Sequence, residues 1–390
     1  MIPLRARSIA FNDAAIATGG RIMRLSTNLE RPAPLRRSEG FVIVDAENIA
    51  PGFAWYISCA GEALKGAALD APSVELPAEF GYLGDGDVIS VEPKSGTVRV
   101  LFRRVSAYNH FLLTERCNNN CLMCSQPPRA VQDGWIVDEI LEALPLIDRS
   151  AREIGFTGGE PTLLGERFIE LVRATESYLP NTSLHVLSNG RNFANDRLAA
   201  SVAAVRHHDL MLGIPLYSDL AHLHDYVVQA DGAFDETVRG ILNLKRHGVR
   251  IEIRAVLQRP TTERLPQLAR FIARNLLFAD HVALMGLEVT GFAKANLNRI
   301  WIDPVDYGSE LRAAVKILMQ AGIKTSIYNS QLCVLPEDLR PYARRSISDW
   351  KQEYLPACDG CSVRAKCAGF FATSGMKHSR AITPIFSEAA

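Results

Sequence analysis

The sequence lacks an excess of charge of either sign, because 43 Lys and Arg residues balance 43 Asp and Glu residues over a chain of 390. Proteins whose main partner is a nucleic-acid backbone or an anionic membrane usually carry a basic excess. The balance therefore argues against both partners, and it leaves room only for a local basic groove.

Long hydrophobic runs are also missing. No uncharged apolar stretch reaches the roughly 18 residues that a membrane-spanning helix needs, and the first 24 residues lack the apolar core of a secretory signal. Internal repeats and low-complexity segments are absent as well, while 47% of the residues are hydrophobic and 22% are charged. These features predict a globular cytoplasmic protein and exclude global disorder.

A chain of 390 residues is too long for one ordinary domain. Residues 1–105 read as a small, mostly β accessory domain, since two alternating runs at 87–92 and 97–102 flank a Pro/Gly turn and predict a hairpin. Residues 106–322 form a second region, and residues 323–390 are a Cys-containing segment followed by a polar tail. We therefore predict three domains.

In residues 106–322, short apolar runs alternate with longer amphipathic stretches. The runs predict six strands, at 110–114, 153–157, 183–187, 210–216, 250–257 and 282–289. The stretches predict helices at 138–150, 166–177, 194–205, 233–247 and 264–277. Six such units imply parallel strands with right-handed crossovers, as in a partial (βα)6 barrel or a doubly wound sheet. Ligands should then lie at the carboxyl ends of the strands.

Eight cysteines are present, and most of them fall into two tight groups, the distribution of metal sites rather than of a disulfide framework. The first thiol group is Cys117, Cys121 and Cys124, spaced by three and then two residues, directly after the first predicted strand. Three thiolates in one loop can hold three corners of an iron–sulfur cube and leave the fourth iron open. A zinc site completed by another ligand, such as His110, is the alternative.

This CxxxCxxC loop resembles the signature of the radical SAM superfamily. The resemblance implies that the first thiol group binds a [4Fe-4S] cluster whose open iron takes the amino and carboxylate groups of S-adenosylmethionine (SAM). It also implies that an electron from the cluster cleaves SAM to methionine and a 5′-deoxyadenosyl radical, which abstracts hydrogen from the substrate. The residue before the third cysteine is commonly aromatic in the family and is Met123 here; its thioether is suited to lie against an adenine.

Two further strand ends carry motifs of the same family. The run Gly158, Gly159, Glu160 and Pro161 follows the second strand, and the resemblance assigns it to the methionyl ammonium of SAM. A plain βα turn would use similar residues. Ser188, Asn189 and Gly190 follow the third strand, where the family places a motif near the SAM ribose and carboxylate; Asn-Gly is equally a turn signal.

Arg254 interrupts an apolar strand, where an unpaired arginine would be costly. It could clamp the SAM carboxylate or pair with Glu252 or Glu288, and pairing is favoured. The polar segment 222–225 offers two imidazoles and a carboxylate. Its spacing suits a metal only on a strand, so a solvated loop is the favoured interpretation.

The second thiol group is Cys358, Cys361 and Cys367, spaced by two and then five residues, with Cys333 lying 25 residues upstream of the first of them. Four thiols satisfy a structural zinc or a second iron–sulfur cluster. The spacing resembles the auxiliary-cluster segment of radical SAM peptide-modifying enzymes. The remaining thiol, Cys59, is expected to be an inert core residue.

The Cys-Ser-Gln-Pro-Pro exit from the first group, Cys124 to Pro128, resembles most closely the radical SAM maturases of the bacterial His-Xaa-Ser system. This resemblance implies post-translational modification of a partner bearing His-Xaa-Ser repeats, alongside a second radical SAM enzyme and an electron donor such as flavodoxin or ferredoxin. Two alternatives remain open. One is a radical SAM enzyme acting on a metabolite or RNA, and the other is a non-catalytic zinc-binding interaction protein.

Overall fold

A computed structural model describes residues 3–45, 47–59, 70–345, 353–371 and 377–386. The described residues fall into two compact units. The first unit draws on 1–111, 134–154 and 173–183, and the second draws on 112–133, 155–172 and 184–390. The division into three domains remains a prediction.

The first unit contains a mixed seven-stranded sheet in the order β1-β7-β6-β2-β3-β4-β5. Its strands are Arg5–Ala6 (β1), Arg21–Ser26 (β2), Gly40–Val42 (β3), Trp55–Cys59 (β4), Ser73–Leu76 (β5), Val88–Glu92 (β6) and Thr97–Phe102 (β7). The predicted hairpin is present as the antiparallel pair β6 and β7, closed by Gly96 in the left-handed conformation. Apolar side chains on one face, Trp55 and Ile57 among them, pack into the core of this unit.

The second sheet has strands in sequential order, each next to its chain neighbour. They are Asn109–Leu112 (β8), Glu153–Thr157 (β9), Ser183–Leu187 (β10), Leu210–Pro215 (β11), Arg250–Val256 (β12), His281–Met285 (β13) and Thr325–Tyr328 (β14). Strands β10 to β14 pair in parallel. The α/β fold predicted from the alternation is confirmed, with a nearly closed, barrel-like sheet. A seventh strand, β14, joins the six that were predicted.

One face of this sheet is apolar, because alternate side chains such as Ile251 and Ile253 on β12 are fully buried. On the same strand, Glu252 and Arg254 occupy the opposite face, since successive strand residues point to opposite sides. The barrel interior is therefore the more polar of the two faces.

The helices of the described residues are mostly amphipathic, as in Leu265–Asn275, whose residues at 265, 268, 269 and 272 are buried. They are Asp13–Thr18 (α1), Ala33–Arg36 (α2), Trp135–Ala143 (α3), Glu166–Tyr178 (α4), Asp196–Ala204 (α5), Ala221–Val228 (α6), Ala233–Arg246 (α7), Arg259–Thr262 (α8), Leu265–Asn275 (α9), Gly291–Ala295 (α10), Leu297–Ile300 (α11) and Gly308–Gln320 (α12). No helix in the described ranges has the length and apolarity to cross a membrane. Helix α6 was predicted as a loop.

Candidate active site

The first thiol group lies in the thiol loop, residues 114–128, which leaves the carboxyl end of β8. Buried Asp133 clamps the start of this loop. Its Oδ2 accepts hydrogen bonds from the Thr114 hydroxyl at 2.8 Å and the Glu115 N–H at 2.6 Å, while its Oδ1 lies 3.3 Å from Nε of Arg116. The carboxylate thus fixes the residues that lead into the first cysteine.

The middle of the thiol loop is anchored by backbone and apolar contacts. The N–H groups of Asn120 and Leu122 each donate to a carbonyl at the end of α6, both at 2.9 Å. The Asn296 side chain donates to the Leu122 carbonyl at 3.0 Å. Leu122 and Met123 are buried in an apolar cluster that also contains Tyr217. Met123 therefore lies in a packed position beside the loop.

Burial controls the protonation of the first thiol group. It raises the pKa of Cys117 to about 11 and that of Cys121 to about 12, and it also raises the pKa of Cys124. The neighbouring thiols add to the shift at Cys117 and Cys121, because each would be a like charge when ionised. Without a metal these thiols are protonated at neutral pH, so metal binding must release protons.

The donor set of the first thiol group fits an iron–sulfur cluster. Three thiolates from one loop can hold three corners of an iron–sulfur cube and leave the fourth iron open. A tetrahedral structural zinc would need a fourth ligand besides these three thiols.

The Gly-Gly-Glu turn at the carboxyl end of β9 interlocks with the thiol loop. The Gly159 N–H donates to the Thr114 carbonyl and the Glu160 N–H donates to the Arg116 carbonyl, both at 2.7 Å. A Cβ on Gly159 would lie 2.0 Å from the Arg116 carbonyl oxygen, and one on Gly158 would lie 2.5 Å from the Thr114 carbonyl oxygen. The glycines are therefore required for the approach of the thiol loop itself.

Glu160 joins three strand ends. Its buried carboxylate accepts hydrogen bonds from the Ser188 hydroxyl at 2.8 Å, the Asn189 N–H at 2.6 Å and the Thr162 N–H at 3.0 Å. Complete burial raises the pKa of Glu160, against the hydrogen bonds that lower it. Pro161 follows at the start of a buried 3-10 turn, Pro161–Leu164. The carboxylate ties the β9 turn to the β10 turn.

Asn189 extends this network to the first thiol group. Its Nδ2 donates to Oδ1 of Asn118 at 2.6 Å and lies 4.0 Å from the sulfur of Cys117. Its own carbonyl accepts from the Thr237 hydroxyl at 3.1 Å. The predicted residues at three strand ends, 117, 160, 188 and 189, are therefore brought together at one edge of the sheet.

Arg254 makes the predicted pair with Glu252, and its Nη2 lies 3.1 Å from the sulfur of Met285. Two imidazoles also face the carboxylate of Glu252, that of His281 at 2.7 Å and that of His185 at 3.5 Å. Burial alone would raise the pKa of Glu252, but the two imidazoles and the guanidinium hold it well below its ordinary value. The barrel interior thus contains an ionised, fully partnered carboxylate, and a cofactor role for Arg254 stays a prediction.

The sequence prediction missed Tyr217 and placed His224 wrongly. Tyr217 follows β11, and burial raises the pKa of its phenol well above the ordinary value, with further contributions from Cys121 and Cys124. His224 is buried on α6 and accepts a hydrogen bond from the Tyr217 N–H at 3.3 Å. Burial lowers the pKa of His224 to about 4, so the imidazole is neutral. The interpretation of residues 222–225 as a solvated loop was wrong. These polar residues belong to the half-buried helix α6, and their polarity gave no sign of its buried face.

The second thiol group lies together with Cys333, which follows β14, around one small cavity. That space is lined by the four thiols Cys333, Cys358, Cys361 and Cys367, together with the rings of Tyr354 and Phe370. Backbone N–H groups face two of the sulfurs, that of Thr383 at Cys333 and that of Ile385 at Cys361 at 3.4 Å. The structure therefore brings the four predicted residues to one place.

This chain is similar to several known proteins. Residues 111–272 match the family model of the radical SAM superfamily. GTP 3′,8-cyclase 2 of Mycobacterium tuberculosis is 28% identical over 184 residues, which cover 45% of this chain and 48% of the relative. The same enzyme of Mycobacterium bovis gives the same values. The chain thus spans about half the length of the curated relatives it matches.

Among solved structures, SuiB of Streptococcus suis bound to S-adenosylmethionine has a TM-score of 0.51 at 14% identity, covering 72% of this chain and 76% of that one. The native enzyme anSMEcpe with bound AdoMet and Cp18Cys peptide has a TM-score of 0.43 at 17% identity, covering 56% and 62%. At these identities SuiB shows a shared fold. The chain therefore has the radical SAM fold, and residues 111–272 match the model of that superfamily.

Proposed function

We propose that this chain is a radical SAM enzyme that modifies a peptide or protein partner, with the first thiol group holding a [4Fe-4S] cluster. One observation carries the proposal. The thiol loop, the Gly-Gly-Glu turn and the Ser-Asn-Gly turn leave three consecutive strands and are joined there by direct hydrogen bonds. The carboxyl ends of parallel strands are where such folds bind ligands.

When bound, the cluster and SAM would supply a 5′-deoxyadenosyl radical for hydrogen abstraction. The residues of this chain would bind the cluster and position SAM. Cys117, Cys121 and Cys124 supply three ligands, so a fourth iron would stay open. Glu160 keeps the β9 and β10 turns together. Met123, Gly158, Gly159, Pro161, Ser188, Asn189 and Arg254 are the residues proposed to line the SAM site.

We propose that the second thiol group holds a second [4Fe-4S] cluster, with structural zinc as the alternative. The four thiols around one enclosed space support a metal site. The resemblance of the group's spacing to the auxiliary-cluster segment of radical SAM peptide-modifying enzymes favours iron–sulfur over zinc. The expected role is electron relay or substrate anchoring.

We expect anaerobically reconstituted protein to contain about eight irons per chain, following two four-iron clusters. The variant Cys358→Ala/Cys361→Ala should lose about half of the iron and sulfide, because two of four ligands are gone, while the first cluster remains. Iron, sulfide and zinc are quantified in both proteins, with Cys59→Ala as the control thiol variant. A parent protein that contains about four irons and about one zinc per chain would contradict the second cluster.

The proposed substrate is a protein bearing His-Xaa-Ser repeats, acted on together with a second radical SAM enzyme and an electron donor such as flavodoxin or ferredoxin. The support is the Cys-Ser-Gln-Pro-Pro exit of the thiol loop together with the second thiol group. We expect anaerobic co-expression with such a repeat protein to change its mass, and Cys121→Ala in the same strain to leave it unmodified. Fragmentation locates the change. An unchanged repeat protein beside an enzyme that cleaves SAM would exclude this substrate and retain the radical SAM activity.

A second candidate is a radical SAM enzyme that acts on a small molecule. It is favoured by the 28% identity with GTP 3′,8-cyclase 2 over 184 residues. Purified, reconstituted protein is incubated with GTP, SAM and reductant, and nucleotide consumption is followed by chromatography. Consumption of GTP that depends on SAM and on Cys121 would favour this function over the peptide maturase.

A further inference from the structure

We infer that Arg191 is a positioning residue that turns the Asn119 amide toward the first thiol group and thereby raises the reduction potential of the cluster held there. The inference rests on the proposed function, because it concerns the cluster that the first thiol group would bind. It assigns a role to a residue just beyond the Ser-Asn-Gly turn, outside the predicted cofactor-binding set.

The Arg191 side chain is only 13% exposed and makes three directed hydrogen bonds. Its Nη1 donates to the Asn118 carbonyl at 2.6 Å and to Oδ1 of Asn119 at 2.7 Å, and its Nε donates to Glu236 on α7 at 2.6 Å. A guanidinium is planar and offers its donors in a fixed fork. The contact with Glu236 therefore fixes the direction from which Nη1 reaches the thiol loop.

Arg191 decides which way the Asn119 amide faces. A guanidinium only donates, so the atom of Asn119 that it contacts must be the carbonyl oxygen. The amide nitrogen is then directed away from Arg191, and the Asn119 side chain lowers the pKa of Cys121, against the burial that raises it. Asn119 is 6% exposed, so little water is available to replace either partner. Without Arg191, nothing in this chain of contacts would hold the donor toward the sulfur.

Asn119 also contacts a second cysteine through its backbone. Its N–H donates to the sulfur of Cys117 at 3.4 Å. Asn119 therefore donates to one proposed ligand through its backbone and favours the thiolate of a second through its side chain, and Arg191 holds both that side chain and the preceding carbonyl. Hydrogen bonds to cluster sulfurs stabilise the more negative, reduced state and so raise the potential.

The support behind Arg191 is rigid. Gly190 is in the left-handed conformation, at φ of 81°, and the Arg191 N–H donates to Oδ1 of Asn189 at 3.0 Å. Helix α7 packs directly on this turn, because a Cβ on Gly240 would lie 2.1 Å from the Gly190 carbonyl oxygen. The backbone of Glu236, in the first turn of that helix, is thus fixed beside the turn, and its half-exposed carboxylate accepts from the guanidinium.

The test measures the reduction potential of the first cluster in the reconstituted protein by a spectroscopic redox titration. All variants carry Cys358→Ser/Cys361→Ser, so that only the first thiol group holds a cluster. We expect Arg191→Gln to lower the ratio of reduced to oxidised cluster at fixed potential about tenfold, at the low end of the roughly 10- to 100-fold effects of residues that support metal ligands. For a one-electron couple this equals about 59 mV. Asn119→Ala should give a similar shift.

The double variant separates positioning from simple charge. If Arg191 acts through Asn119, adding Arg191→Gln to Asn119→Ala produces no further shift. Additive shifts, or an Arg191→Gln potential equal to that of the parent, would overturn the inference. The matched control is Arg312→Gln on α12, which removes an exposed arginine that pairs with the exposed Asp338 and should leave the potential unchanged.

Two further measurements keep the test decisive. If Arg191→Gln fails to take up iron, Arg191→Lys replaces it. Lysine keeps the charge but loses the fork, so its potential should fall between those of the parent and Asn119→Ala, and a value equal to the parent overturns the inference. If the parent itself binds no iron, the proposed function fails; a parent with a reducible cluster and unshifted variants rejects only the role of Arg191.

Discussion

Replacing Cys121 with alanine is expected to abolish 5′-deoxyadenosine formation, a loss greater than the roughly 100-fold seen when a residue that only supports a metal ligand is changed. The first thiol group offers only three ligands, so one loss leaves two. Burial around Cys121, which raises its pKa to about 12, also leaves little water to replace the lost ligand. The measurement is SAM cleavage by anaerobic, reconstituted protein under reductant, with iron quantified in parallel.

The control for this prediction is Cys59→Ala. Cys59 lies at the end of β4 in the first unit, and burial raises the pKa of its thiol to about 11. An inert neutral thiol should be dispensable, so this variant should cleave SAM at the parent rate. Formation of 5′-deoxyadenosine by Cys121→Ala at a comparable rate would contradict the assignment of the first thiol group.

Replacing Gly159 with alanine is expected to disable the same site through packing rather than ligation. The new Cβ would lie 2.0 Å from the Arg116 carbonyl oxygen and 3.1 Å from the Cys117 N–H nitrogen, and both are backbone atoms. A side chain could rotate away, but here the thiol loop must shift as a whole. We expect a loss of most of the iron in the first thiol group and a free energy of unfolding lower by about 1–3 kcal/mol.

Urea unfolding and iron quantitation measure the two parts of this result. Gly84→Ala is the matched control, because a Cβ on Gly84 meets no atom within 4 Å. It should retain the parent values for stability and iron. If Gly159→Ala bound iron as the parent does, the interlock between the Gly-Gly-Glu turn and the thiol loop would not be needed to shape the site.

Much of the second sheet could be predicted from the sequence. The predicted strands at 153–157 and 183–187 coincide with β9 and β10, since short apolar runs bounded by turn residues give a clear signal. The two thiol groups could also be predicted as metal sites from the sequence, because closely spaced cysteines are typical of metal binding. The confirmed fold then places the candidate motifs at one edge of the sheet.

What could not be predicted depends on contacts between distant segments. Strand β14 is only four residues long, too short to show a clear alternating pattern, so its pairing with β13 decides its conformation. Helix α6 carries two histidines and an aspartate over eight residues, which conceals the face that is buried. Arg191 looks like any polar residue after a turn. Its role depends on Asn118, Asn119 and Glu236, and no local pattern joins these residues.

The contact that anchors the thiol loop determines the order in which this chain folds and takes up its proposed cluster. The Asn296 side chain and the Leu122 carbonyl that it holds are 174 residues apart in the chain. Contacts of such long sequence separation form late, because the entropy of closing a long loop opposes them until the intervening structure exists. During synthesis, the three thiols emerge from the ribosome long before the segment that fixes their loop. We therefore expect the cysteines to be exposed in the nascent chain and to take up a cluster only after α11 has folded.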